Sequence, residues 1–250
     1  MQAYCTLVRR ELGSHFLSWA GYIVIAAVLF LLGLSFDNLL QLLNAEATDL
    51  PVTELFYVSY YFWLILLLMA PVITMRSFAL EKSTGTFETL MTTPVCDLEV
   101  MLAKFTGAML FYGLMWLPLL ACLFTVQRYS NSTTMLDAGA VGATYLGIML
   151  LGSVYVSIGC FASALTRSQI IAAVVSFAAG FSLFLFSFLA KGLAGETGWT
   201  GQALAHLNMT DHMQDFARGV VDTRPVVLYL SLTAVFLFLT FKALESRRWK

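Results

Sequence analysis

Charge is what this chain has least of. Only 12% of its 250 residues are Asp, Glu, Lys or Arg, against 59% apolar ones, where soluble proteins carry roughly 25% charged residues. So little charge cannot clothe a water-facing surface, and a mean hydropathy of +0.80 excludes a soluble fold and places the chain in a membrane. The net charge of −1 gives no sign of a nucleic-acid partner. Histidine is scarce too. His15, His206 and His212 are the only three, and all lie outside the apolar runs. No serine within a span therefore has a base beside it, which argues against a serine protease working inside the membrane. The four cysteines, Cys5, Cys96, Cys122 and Cys160, form no CxxC pair for zinc or redox work and read as small apolar side chains. No GxxxxGKS or GxxxxGKT occurs, so the chain has no loop of that kind to cradle ATP. Nor does any run show the strict in-out alternation of an outer-membrane strand.

What is present instead is six uncharged apolar runs, at about 17–36, 56–75, 105–126, 140–165, 170–190 and 226–241. A hydrocarbon core of about 30 Å takes about 20 helical residues, and backbone groups in lipid must be satisfied within the segment, so these runs predict helices. The fold class is an all-α membrane protein with six transmembrane helices in one domain spanning 1–250. Six spans place both termini on one side. Putting that side in the cytoplasm collects ten basic residues inside, among them Arg9, Arg10, Arg76, Lys82 and Lys104, and leaves Arg128, Lys191, Arg218 and Arg224 outside. This positive-inside bias predicts cytoplasmic termini. Tyr57, Tyr60, Tyr61 and Trp63 read as an aromatic belt at the outer end of the second span.

Ahead of the first span, Tyr4, Leu7, Val8, Leu12 and Phe16 recur every three or four residues with Arg9, Arg10 and Glu11 between them. This is the pattern of an amphipathic helix lying along the inner leaflet, its arginines at the headgroups. A signal peptide also begins with arginines before an apolar run, but this run exceeds 7–15 residues and no small-x-small site follows it. The loop after the second span carries Phe87, Leu90 and Met91 on one helix face, with Thr86 as N-cap, Glu88 in the first turn, Gly85 as the turn before it and Pro94 as the stop. From the pattern alone, such a helix either docks into a groove on another protein or packs on its own membrane domain.

The spelling of that loop, RSFALEKSTGTFETLMTTP, resembles the first cytoplasmic loop of the type-2 permeases of ATP-binding-cassette (ABC) transporters, with its arginine, E-K/R-x-x-G-T-x-E-x-L core and following T-x-P. Here these are Arg76, Glu81, Lys82, Gly85, Thr86, Glu88, Leu90, Thr92 and Pro94. The resemblance implies that the loop helix is a coupling helix seated on a separate ATPase subunit, which would bind the ATP and Mg. Glu81 and Glu88 would pair with basic residues rimming the ATPase groove, and Phe87 and Leu90 would fill it. The implied protein is an exporter permease of the bacterial inner membrane, not itself an enzyme, paired with a second permease copy or paralogue. Residues 157–177 look like the tight inner turn between the fourth and fifth spans. Residues 211–249 resemble the end of the permeases linked to gliding motility and, more loosely, to multicopper enzyme maturation, with Phe216, Arg218, Gly219, Val220, Asp222 and Arg224, then Glu245 to Trp249. Pro225 departs from an expected acidic residue. In that branch, a permease-like subunit that transmits force to a periplasmic machine is the alternative to a transporter.

Other features read more simply. Pro71 and Pro118 fall inside spans and kink them for packing or for a substrate path. Gly159 with Ser163, and Ser176 with Gly180, read as helix contact faces. His206 and His212, six apart and off any common helix face, are weak metal candidates; the alternative is an amphipathic outer helix lying on the membrane domain.

Overall fold

Every apolar run becomes a helix in the computed structural model, which describes residues 2–45, 51–86, 96–129, 137–193 and 208–246. Among these residues there is no strand. In chain order the helices are α1 (Gln2–Phe16), α2 (Trp19–Ala45), α3 (Val52–Val58), α4 (Tyr60–Thr74), α5 (Ala79–Thr84), α6 (Asp97–Tyr129), α7 (Ala138–Leu165), α8 (Gln169–Leu193), α9 (Met209–Ala217) and α10 (Thr223–Glu245). Six stretches are long and apolar enough to span a membrane: Trp19–Asn44, Tyr60–Thr84, Asp97–Tyr129, Ala138–Leu165, Gln169–Leu189 and Thr223–Glu245. At 1.5 Å per residue, α6 is about 50 Å long. It overshoots the hydrocarbon, which is why Asp97, Glu99 and Arg128 fall in its terminal turns.

Two of the boundary differences from the sequence reading have a visible cause. The first span runs on past Phe36 to Ala45, because Asp37 is exposed and accepts from Gln41 Nε2 at 2.9 Å one turn later, so its charge does not stop the helix. The second run is cut at Ser59, whose extended backbone (φ −67°, ψ 135°) separates α3 from α4. The Ser59 hydroxyl donates to the Phe56 carbonyl at 2.7 Å across that break. The aromatic belt is also corrected. Tyr60 is exposed, but Tyr57 and Trp63 are buried, Tyr57 donating to the Thr144 carbonyl at 3.3 Å and Trp63 packing 5.1 Å from Phe184.

α7 is the centre of the bundle. It packs against α4, α6, α8, α9 and α10, and 78% of its most apolar stretch is buried, against 22% for α2 and α8 and 17% for α10, whose apolar outer faces need hydrocarbon to cover them. Small residues make that close packing possible. A Cβ on Gly152 would lie 2.2 Å from the Tyr112 ring, and one on Gly159 would lie 2.0 Å from Thr74 Oγ1. The contact-face reading of Gly159 and Gly180 therefore matches the fold, with Gly180 against Tyr155. Two buried polar pairs tie neighbouring helices: Tyr112 donates to the Ile148 carbonyl at 3.2 Å, and Ser153 and Thr233 share a hydrogen bond of 2.9 Å.

The short helices close the two ends. At one end, α1 lies on α6, with Tyr4 and Thr106 hydroxyls 2.7 Å apart and the His15 ring stacked on Phe111 at 4.9 Å. Arg9 and Arg10 stay exposed. At the other end, α9 buries Met209, Met213, Phe216 and Ala217. Arg218 holds it to α3 through a two-pronged pair with Glu54, at 2.9 and 2.7 Å. Glu54 is only 3% exposed, so its charge depends on that guanidinium.

Candidate functional site

The turn that follows α4 is fastened to the end of α7. The Ser163 hydroxyl accepts the backbone N–H groups of Phe78 and Ala79 at 3.0 and 3.1 Å and donates to the Met75 carbonyl at 3.3 Å. Three backbone groups that the α4–α5 corner would otherwise leave unpaired are satisfied by one side chain. Lys82 on α5 donates to the Ala164 carbonyl, capping the last turn of α7 where a cation is favoured. α5 ends at Gly85, whose φ of +74° is the left-handed cap that suits glycine. Just beyond it, the Thr86 and Thr84 hydroxyls lie 2.9 Å apart.

Beneath this corner is a buried ionic cluster. Lys104 on α6 is 4% exposed and donates to Glu11 Oε1 of α1 at 2.7 Å and to Glu81 Oε1 of α5 at 2.8 Å. Its ammonium also lies 5.4 Å from the centre of the Phe78 ring. A cation this buried persists only if paired, and here two acids from different elements hold it. Arg10 reaches to 3.8 Å from the same Glu81 oxygen. The second oxygen, Glu81 Oε2, is buried with no hydrogen-bond partner among the described residues. His15 faces the cluster. Burial holds its imidazole below the ordinary 6.5; Glu11 pulls the other way, and Lys104 and Arg76 add to the lowering. A cavity of about 310 Å³ opens among these side chains, with Arg76 on its wall. The Arg76 Nε donates to Gln169 Oε1 at a long 3.4 Å.

A family model described as ABC-2 family transporter protein matches residues 14–247. The chain belongs to the ABC-2 transporter family. Comparison with curated proteins finds no match. Family membership makes the chain the membrane component of an ABC transporter and implies association with an ABC ATPase subunit. The match begins within α1, so Arg9, Arg10 and Glu11 precede it.

Against this ABC-2 architecture, Glu81, Gly85 and Thr86 lie together at the α5 corner. Phe87, Glu88 and Leu90, the other coupling candidates, lie outside the described residues. Glu81 is turned inward onto Lys104 rather than outward toward a partner. Of the weak metal candidates, His206 lies outside the described residues, and His212 Nδ1 is 3.2 Å from the Tyr229 hydroxyl. His212 sits on α9, whose apolar face rests on the membrane domain as the amphipathic-helix alternative expected. Sequence reasoning missed Glu11, Lys104 and Ser163 as members of this site. Lys104 sat at the edge of an apolar run, and nothing local signalled that Glu11, 93 positions earlier, closes on it.

Proposed function

We propose that this ABC-2 permease couples ATP hydrolysis by a separate ATPase subunit to movement of its own spans, as an exporter in the bacterial cytoplasmic membrane with both termini cytoplasmic. The observation that carries this reading is the fastening of the corner. A displacement of the segment around Gly85 is passed to α7 through Ser163 and Lys82, and to α6 and α1 through Glu81 and Lys104. A short rigid element with two alternative seatings can pass such a push on, whereas a slack loop would absorb it. Glu81 then acts in transmission, and docking on the ATPase falls to Phe87, Leu90 and Glu88. The apolar pair carries more of the docking energy, because exposed ion pairs contribute only about 0–1 kcal/mol. The ATPase holds the ATP and Mg, and a second permease copy or paralogue completes the membrane unit.

The test is to measure ATPase stimulation in the assembled complex after Phe87→Asp or Leu90→Asp. Loss of stimulation with the membrane subunit still folded is the expected result; wild-type binding and turnover in both variants would overturn the reading. The resemblance of residues 211–249 to gliding-motility permeases favours a second reading, in which the same push drives an additional periplasmic subunit instead of a substrate. Co-purification with native partners separates the two: a large periplasmic subunit in the complex supports force transmission.

A further inference from the structure

The cavity beside Lys104 has a composition that coupling alone does not call for. It brings together the bases Arg10, Arg76 and Lys104 and the acids Glu11 and Glu81 around about 310 Å³, far more than the roughly 10–15 Å³ that one water requires. Lys104 is held by the two acids through two of its three donors. Among the described residues, Arg10 is held only by a 3.8 Å approach to Glu81, and Arg76 by one long bond to Gln169. Two guanidinium groups therefore have donors to spare, and the buried Glu81 Oε2 lacks a donor among the described residues. The site is built for a ligand that carries an anion and a hydrogen-bonding cation on one short frame.

Its depth identifies the source of such a ligand. Lys104 immediately precedes the uncharged stretch of α6, and Arg76 immediately follows that of α4. Trp19 and Tyr22, at the start of α2 on the same end, are exposed in the manner of interfacial anchors. The cavity thus opens at headgroup level, beside α1. We propose that it binds the headgroup of an amine-bearing phospholipid, phosphatidylethanolamine in chemical class, with the phosphate between Arg10 and Arg76 and the ammonium donating to Glu81 Oε2. The paired charges explain why the site is not simply basic: an anion-only lipid would leave Glu81 Oε2 unmatched and would meet its repulsion. Because Glu81 also bonds Lys104, the bound headgroup stabilises the seating of α5 against α6.

The experiment uses the full-length protein, stripped of lipid in detergent and then titrated with phosphatidylethanolamine, phosphatidylglycerol or phosphatidylcholine, with retained lipid read by native mass spectrometry and the apparent Tm read in parallel. Phosphatidylethanolamine should be retained roughly tenfold better than the other two, the difference expected for one charge-assisted hydrogen bond. Phosphatidylglycerol offers neutral hydroxyls but no ammonium to offset the Glu81 charge, and the trimethylammonium of phosphatidylcholine has no N–H to donate. Arg76→Gln should weaken retention of phosphatidylethanolamine and phosphatidylglycerol alike, and Glu81→Gln should erase the preference between them. Equal retention of all three lipids by the wild type, or wild-type phosphatidylethanolamine retention in Arg76→Gln, overturns the proposal. Arg76 lies outside the Lys104 triad, so the second criterion holds even if Glu81→Gln fails to fold. Displacement by free phosphoethanolamine at equal concentration would assign the cavity to a soluble ligand, and loss of ATPase binding in Glu81→Gln with lipid retention unchanged would assign Glu81 Oε2 to a basic side chain of the ATPase. Either outcome overturns the lipid assignment.

Discussion

Lys104 carries a positive charge between two carboxylates drawn from separate helices, Glu11 of α1 and Glu81 of α5. Removing the cation while keeping the acids leaves two negative groups close together in a buried setting. Lys104→Met should therefore destabilise the purified subunit by about 3–5 kcal/mol. The triple variant Glu11→Gln, Lys104→Met, Glu81→Gln should recover much of the lost apparent Tm, because a fully neutral cluster has no uncompensated charge to bury. Failure of the triple variant to recover would mean that Lys104 acts through packing. His15 adds a pH dependence of definite sign. Its folded pKa lies below 6.5 because burial penalises the charged ring, so just below that pH the unfolded chain binds a proton that the folded chain refuses. Its contribution to stability is therefore present above pH 6.5 and is lost as the pH falls through that window. The apparent Tm should decline on acidification from about pH 7 to below about 6, and His15→Phe, which keeps a ring against Phe111, should flatten that part of the slope.

The helices differ in how plainly the sequence announced them. Long spans were legible because about 20 uncharged residues in a row have no other stable form in hydrocarbon. α5 was not, because six residues are too few to show a period. Gly85, read as a simple turn, is the left-handed cap of that unrecognised helix. Tyr57 and Trp63 misled for a related reason: amphipathic aromatics suit both a membrane interface and a core with a carbonyl in reach, and the break at Ser59 turned Tyr57 inward. The small residues of α7 were read correctly as contact faces, but their partners were not readable. The closeness of the α7–α4 contact gives a sharp prediction. A methyl group on Gly159 would meet Thr74 Oγ1 at 2.0 Å, and Thr74 cannot swing aside freely because its hydroxyl donates to the Ala70 carbonyl at 2.7 Å. Gly159→Ala should lower stability by about 1–3 kcal/mol, measurable as a fall in apparent Tm, whereas Gly33→Ala, at an open position on α2, should leave it nearly unchanged.

At the scale of the molecule, α7 is a rod gripped at both ends. At the α9 end, Gly147 lies against Phe216, and the adjoining Arg218 is tied to Glu54 of α3. At the α1 end, Ser163 and Ala164 receive the α5 corner. Gly147 and Ser163 are about 24 Å apart along the helix at 1.5 Å per residue, well beyond the roughly 7–10 Å within which substitutions usually interact. In the isolated subunit, Arg218→Ala and Lys104→Met should therefore lower the apparent Tm independently, the double variant losing the sum of the two single shifts. A stiff helix that carries motion from one end to the other changes that expectation once its partner is bound. On the coupling proposed above, with the ATPase and nucleotide present both grips act on the same displacement, and the two substitutions should become non-additive in ATPase stimulation while remaining additive in the stability of the subunit alone. Additivity in ATPase stimulation as well would mean that α7 yields between its ends and passes no displacement from the α5 corner to α9.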